Sequence, residues 1–273
     1  MTRPLIFLTN DDGIGSPGLA ASACALDPLG DLLIVAPRVQ MSGMGRSMPV
    51  QHTGRLTRET VRYCDRSWPA YGADASPAQA VQHALLEIAD RQPALAVSGI
   101  NYGENVGVAI TISGTVGAAL ESATQGIPSL AISLEVDFSQ HNNNDPSVDF
   151  GASMVILRRF AELWMSAALL PDVDVLKIDI PAGATPDTPW RITRLERQPY
   201  YLPVAPERET LEDDGAVGYQ MAPRENFDPR SDAAAVAAGI IAVTPLSLDM
   251  TSRIAPDALQ EMLTDKPVET PRS

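Results

Sequence analysis

Residues 4–18 read PLIFLTNDDGIGSPG: an apolar run, a polar turn with two adjacent aspartates, and a Ser-Pro-Gly that introduces a helix. Strand, turn and helix start follow one another within fifteen residues, and the same unit recurs downstream. DLLIVAP (31–37), ALAVSGI (94–100), SLAISLE (129–135) and DVLKIDIP (174–181) are also short and apolar on consecutive positions. Such runs suit parallel strands covered on both faces. Helix-like segments lie between them: PGLAASACAL (17–26), SPAQAVQHALLEIAD (76–90), TVGAALESATQG (115–126) and a longer one over 149–169. In the second, Ser76 fits the cap and Pro77 the first position, with Val81, Ala84, Leu85 and Ile88 forming one apolar face. The alternation predicts an α/β fold with a doubly wound, mostly parallel sheet, whose ligands gather at the carboxyl ends of the strands.

Composition narrows the function. The chain has 273 residues, 45% hydrophobic, with a formal net charge of −14. That charge argues against a nucleic-acid partner, because a large basic patch is what the phosphate backbone needs. Cys24 and Cys64 make neither a disulfide framework nor a thiolate metal set, and Cys24 reads as a small buried hydrophobe. His52, His83 and His141 are too scattered for a histidine-rich zinc site. No signal peptide is evident and no apolar run approaches the roughly 20 residues of a membrane span, so a soluble, cytoplasmic protein is expected.

After Pro181 the pattern changes. PAGATPDTP (181–189) reads as a loop and WRITRLERQ (190–198) as an exposed strand; residues 200–232 are rich in proline and charge, without helical period. The latter are expected to form a β-rich arm or hairpin, and GIIAVTPLSLDM (239–250) a returning strand. The expected organisation is a core over 1–190, an arm and returning strand over 191–251 that serves oligomerisation, and a partly helical tail over 252–273. The tail is expected to fray from Lys266 onward.

The chemistry sits in three loops expected at one sheet edge. Carboxylates at Asp11 and Asp12 would repel a pyrophosphate, and the Gly-x-Gly-x-x-Gly fingerprint is absent; a hard cation such as Mg²⁺ or Mn²⁺ would take their oxygens. Read alone, the pair is equally an Asp-Gly turn capping the next helix. Ser42, in VAPRVQMSGMGRS (35–47), adds a neutral hydroxyl beside them or is an ordinary loop serine. VSGINYGENVGVAITISGTVGAALESA (97–123) carries Asn101 to a strand end, where its carbonyl suits a metal or a phosphate. Asn105 offers an amide to a phosphoryl oxygen. Ser113, Gly114 and Thr115 offer backbone N–H groups at a helix start, where an anion is favoured. Arg46 reads as a solvated loop residue.

These motifs, with DIP at 179–181, WRITR at 190–194 and SDAAAVAAGIIAVTPLSLDMT at 231–251, closely resemble the SurE (survival protein E) family over nearly the whole chain. The resemblance implies a Rossmann-like three-layer α/β/α sandwich with a β-rich C-terminal excursion. It implies a metal-dependent phosphatase acting on nucleoside 5′- and 3′-monophosphates, with some members also trimming polyphosphate. It assigns one divalent ion (Mg²⁺ or Mn²⁺) per subunit to Asp11, Asp12, Ser42 and Asn101, and a homodimer or homotetramer with exchanged arms. Asp11 and Asp12 are then the catalytic pair, with Asp11 as general base or nucleophile. The chain departs from the family at Arg38–Met41, where the usual motif is Asp-Arg-Asn-Arg, at Ile112, which replaces an aromatic, and across Ala75–Val81. Those departures motivate an alternative, a degenerate relative that binds metal and nucleotide without efficient turnover. A haloacid-dehalogenase-like reading is disfavoured because that chemistry spaces its aspartates two apart.

Overall fold

The computed structural model describes residues 2–141, 143–168, 170–223 and 226–264. The five apolar runs form strands β1 (Leu5–Thr9), β2 (Asp31–Pro37), β5 (Leu95–Tyr102), β6 (Ser129–Leu134) and β7 (Val175–Ile180). All five are parallel, joined in the order β2-β1-β5-β6-β7. Their side chains alternate between two cores. Ile6, Leu8, Ile34 and Val97 pack beneath helices α1 (Pro17–Leu26) and α4 (Gly151–Ser166). Leu5, Phe7, Leu33, Val35 and Ala96 pack beneath α2 (Pro77–His83) and α3 (Gly114–Thr124). Two buried faces explain why these strands carry apolar residues on consecutive positions, with polar exceptions such as Ser98, Lys177 and Asp179 that are themselves buried.

The full sheet has nine strands, β3-β4-β2-β1-β5-β6-β7-β11-β8. The ribbon β3 (Leu56–Tyr63) and β4 (Arg66–Ala73) closes one edge. No strand is expected over β3, because LTRETVRY buries only Val61 and spends most other positions on threonine and charge, as edge strands do. At the other edge β11 (Ile241–Leu246) runs antiparallel to β7 and parallel to β8 (Trp190–Ile192). The strand expected over 190–198 is thus three residues long. The arm is a two-stranded hairpin, β9 (Tyr201–Val204) with β10 (Gly218–Met221), outside the main sheet.

Two helical details differ from expectation. Ser76 does cap α2, in a reciprocal capping box with Gln79, and Pro77 follows it. The helix then widens to a π-turn over Ala84–Ile88 instead of running on to Asp90. A short helix not expected from the sequence, α5 (Asp232–Ala237), is capped by Ser231. A last helix, α6, spans Pro256–Thr264; the expected fraying from Lys266 lies outside the described residues. Among the described residues no helix is long and apolar enough to cross a membrane.

The chain lays β2 and β4 to one side of β1 and β5, β6 and β7 to the other. The crossover direction therefore reverses between β1 and β5, and the crevice at their carboxyl ends is where such a sheet receives ligand. The aspartate pair and Asn101 stand at those two strand ends.

Candidate metal and phosphate site

The β1 loop is held by its own asparagine. Asn10 Oδ1 accepts from Gly13 N (3.2 Å) and its Nδ2 donates to Gly13 O (3.1 Å), so the intervening aspartates are displayed on a closed turn. Gly13 adopts φ +95°, and a Cβ there would stand 3.1 Å from the Val39 carbonyl carbon. The turn therefore requires glycine at this position. The second loop docks onto the first, with Met41 N donating to Asp11 O (2.7 Å). At the end of β5 a register shift between Ser98 and Asn101 turns the strand and carries Asn101 into the crevice.

Asp11 and Asp12 are both buried. Asp11 Oδ1 accepts from Thr115 Oγ1 (2.5 Å), and the backbone amides of Gly114 and Thr115 also favour its charge. Asp12 accepts from Tyr102 N (3.2 Å) and Gln40 Nε2 (3.3 Å). Burial raises the Asp11 carboxyl above its ordinary range, against those hydrogen bonds. Burial, and then the neighbouring Asp11 charge, pushes Asp12 up further. Two carboxylates held together out of water are a reservoir of repulsion that a divalent cation would discharge.

The surrounding donors fit such an ion. Asn101 commits its Nδ2 to the carbonyls of Tyr102 (3.1 Å) and Gly103 (2.7 Å), which leaves Oδ1 as its ligand atom. Asp11, Ser42 and Asn101 line one cavity of about 370 Å³; Asp12, next to Asp11, is buried and not among the lining residues. Among the described residues no cluster of three or more His, Cys, Asp or Glu side chains could hold a metal, so the candidate set is two carboxylates and two neutral oxygens. An all-oxygen set suits Mg²⁺ or Mn²⁺.

The residues expected to seat phosphate divide. Asn105 and Ser113 line the cavity. Asn105 donates its Nδ2 to Ser133 Oγ (2.8 Å), and Ser113 uses its hydroxyl to cap Val116 N (3.1 Å) and its N–H to reach Ile110 O (3.2 Å). The Gly114 and Thr115 amides, expected to face an anionic ligand, lie near the Asp11 carboxylate and favour its charge. The helix start does receive an anion, but that anion belongs to the protein. Arg46 is exposed, as expected, but not free: its Nε donates to the buried Glu121 (2.7 Å), whose other oxygen accepts from Gln82 (2.9 Å).

The approach of helix to carboxylate is close enough to test. A Cβ on Gly114 would stand 2.7 Å from Asp11 Cβ and 2.8 Å from Oδ2. Gly114→Ala should therefore displace Asp11, at about 1–3 kcal/mol of overpacking. Activity should fall at least about tenfold, the rate equivalent of ~1.4 kcal/mol. Wild-type turnover in this variant would show that the seat tolerates movement.

Several site residues were missed in the sequence. Gln40 Nε2 also reaches Ser42 Oγ (3.1 Å) and the His141 carbonyl (2.9 Å), so it ties the second loop to Asp12 and to the turn after β6. Beneath the Asn105 loop lies a fully buried ion cluster in which Lys177 Nζ meets both Asp179 and Asp232. Asp179 Oδ1 accepts from Asn105 N (2.8 Å); Asp232 accepts from Gly107 N (3.0 Å) and Glu196 N (2.9 Å). Both aspartates lie in the quoted motifs DIP and SDAAAV, yet their separation in sequence hides the shared lysine.

Comparison with known proteins places this geometry. The family model described as Survival protein SurE matches residues 6–201. The 5′-nucleotidase SurE of Thermococcus gammatolerans is 40% identical over 271 residues, covering 98% of this chain and 99% of the relative. That of Thermococcus kodakarensis is 38% identical over 265 residues, covering 96% and 99%. The crystal structure of the SurE protein from Aquifex aeolicus superposes with a TM-score of 0.71 at 30% identity, covering 96% of this chain and all of that one.

Proposed function

Since the chain belongs to the SurE family, we propose that it is a 5′-nucleotidase, hydrolysing nucleoside 5′-monophosphates to nucleoside and phosphate with a divalent metal ion. The observation that carries the reading is the buried Asp11–Asp12 pair, set at the sheet's switch point with Ser42 and Asn101 on the same cavity. Asp11, Asp12, Ser42 and Asn101 would hold the ion, which supplies Lewis-acid polarisation of a phosphoryl oxygen.

The chain's own residues do the rest. Asp11, the member of the pair that lines the cavity, is assigned as general base or nucleophile. Thr115 Oγ1 and the Gly114 and Thr115 amides fix the orientation of its carboxylate. Asn105 and Ser113 are assigned to the phosphoryl oxygens, on which negative charge builds as the ester P–O bond breaks and a new P–O bond forms. The new bond is to water when Asp11 acts as base; when Asp11 acts as nucleophile it is first to the carboxylate, which water then displaces. Either way one water is consumed, one of its protons ending on the leaving alcohol. The alcohol leaves as the nucleoside. Activity on nucleoside 3′-monophosphates and short polyphosphate is proposed for the same site, and the 191–251 arm is proposed as the segment through which subunits assemble.

The test is phosphate release from nucleoside 5′-monophosphates with Mn²⁺, with Mg²⁺ and with EDTA. Release with metal, abolished by EDTA and restored by readdition, is the expected result. Nucleotide binding without release would favour the non-hydrolytic alternative, for which Gln40, in the altered Arg38–Met41 segment and bonded to Asp12 and Ser42, is the structural motive.

A further inference from the structure

Away from the carboxylates the cavity becomes aromatic. Phe138 and His141, on the turn after β6, line one part of it with their ring centroids 5.2 Å apart and tilted by 51°. Tyr201 and Tyr219, from the β9–β10 hairpin, line another. Phe138 is 48% exposed and Tyr219 53% exposed, so both keep large ring surfaces in water at the cavity wall. Leaving apolar surface of that size open forgoes about 25 cal/mol for every Å², and concentrating it beside a reactive site marks a place where a ligand covers it.

The hairpin is tied to the site floor. Tyr201 packs edge-on against the buried Tyr200 (4.9 Å, 86°), and Tyr200 OH donates to Glu104 Oε1 (2.6 Å), itself a cavity residue. Phe138 is placed by a turn that Asp137 caps in a reciprocal box with Gln140. The rings are therefore carried by ordered elements. The cavity volume of about 370 Å³ lies within the range of small-molecule sites, roughly 300–1,000 Å³, and exceeds what a lone phosphate fills. Among the described residues lining it none is Lys or Arg, so the aromatic part suits a flat neutral group over a second phosphate.

We infer that Phe138 and Tyr219 form a stacking platform for the nucleobase, and that this platform selects nucleoside monophosphates over phosphomonoesters that lack a base. The inference rests on the reading above, in which the Asp11 end of the cavity takes the phosphate. Stacking on an aromatic side chain is tolerant of base identity, since every base presents a π-face, so discrimination should be against the absence of a base and only weakly between bases.

The test compares adenosine 5′-monophosphate with ribose 5-phosphate, which differ by the base alone. For Phe138→Ala and for Tyr219→Ala the ratio of their kcat/KM values should fall about tenfold, the size of one stacking contact. The change should appear in KM for the nucleotide, while circular dichroism, Tm and the oligomeric state by light scattering stay at wild-type values; a Tyr219→Ala variant whose assembly changes would overturn the assignment of Tyr219 to the base. A ratio that is unchanged, or equal losses on both substrates, overturns the platform. Calorimetry with adenosine, which carries no phosphate, gives a second readout: binding to the wild type that weakens about tenfold in each variant supports it, and wild-type affinity in both variants overturns it. Wild-type protein that releases no phosphate from either ester would instead overturn the hydrolytic reading, and adenosine binding would still decide the platform.

Discussion

Asp11→Asn should abolish phosphate release while leaving the protein folded and no less stable. The substitution keeps the shape of the side chain and an acceptor for Thr115 Oγ1, so α3 remains seated. It removes the charge that holds the ion and the group assigned as base or nucleophile, an effect on the order of a thousandfold or more. Stability should move the other way. Burial raises Asp11, and burial together with the Asp11 charge raises Asp12, so at neutral pH the metal-free protein holds two carboxylates that would each ionise more readily unfolded. A carboxyl raised on folding takes stability away as pH climbs through its folded value. The variant should therefore melt at or above the metal-free wild type at pH 7, and lose the increase in Tm that Mn²⁺ gives the wild type. Near-normal turnover would remove Asp11 from the chemistry.

Lys177→Met should cause the largest loss of stability of any single change described here. Its ammonium is buried between Asp179 and Asp232; burial alone would lower it, but the two carboxylates outweigh that and hold it above its ordinary value. Removing it leaves two buried carboxylates with no cation, a cost of about 3–5 kcal/mol. For a chain of this length that is a fall in Tm on the order of 10 °C. The loss should reach the active site, because Asp179 and Asp232 hold the Asn105 and Gly107 amides.

The pH dependence of this variant has a definite sign. Asp179 is pushed up to about 6, chiefly by burial, so the wild type gives up stability at this residue as pH rises from about 4 through 6. Without the ammonium the carboxyl moves higher still. The Tm deficit of Lys177→Met should then be deeper at pH 8 than at pH 5, where protonation neutralises Asp179. Adding Asp179→Asn, which keeps an acceptor for Asn105 N, should recover part of the loss. A single variant melting within a degree or two of wild type would show that the cluster contributes little.

Much of this architecture was legible because the central strands are buried on both faces. LIFLT and LLIVAP can be little else, and the turns that follow them fall where a parallel sheet places its ligands. Ser76, Pro77 and Gln79 announced the start of α2, but nothing in ALLEI announced a π-turn. The β3–β4 ribbon escaped notice because β3, at the edge, buries one side chain and not a run of them, while β4 mixes its buried Trp68, Ala70 and Ala73 with Pro69 and Gly72, which read as breakers. At the site, residue type revealed which groups could bind a cation and not what each would touch. Thr115 looked like an open phosphate seat, yet it lies against Asp11, 104 residues earlier in the chain. Lys177 interrupts an apolar strand, which a linear reading takes as noise until Asp232, 55 residues on, closes the ion cluster.

The most direct measurement is a crystal of the full chain soaked in Mn²⁺ and read by anomalous scattering. One strong peak is expected per subunit, about 2.0–2.2 Å from carboxylate oxygens of Asp11 and Asp12 and adjoining Asn101 Oδ1 and Ser42 Oγ, as hard-cation ligation requires. The same crystal of Asp11→Asn should lose the peak. An Mn²⁺-dependent phosphatase whose metal binds elsewhere, or a pair of aspartates that stays metal-free at saturating Mn²⁺, would contradict the assignment.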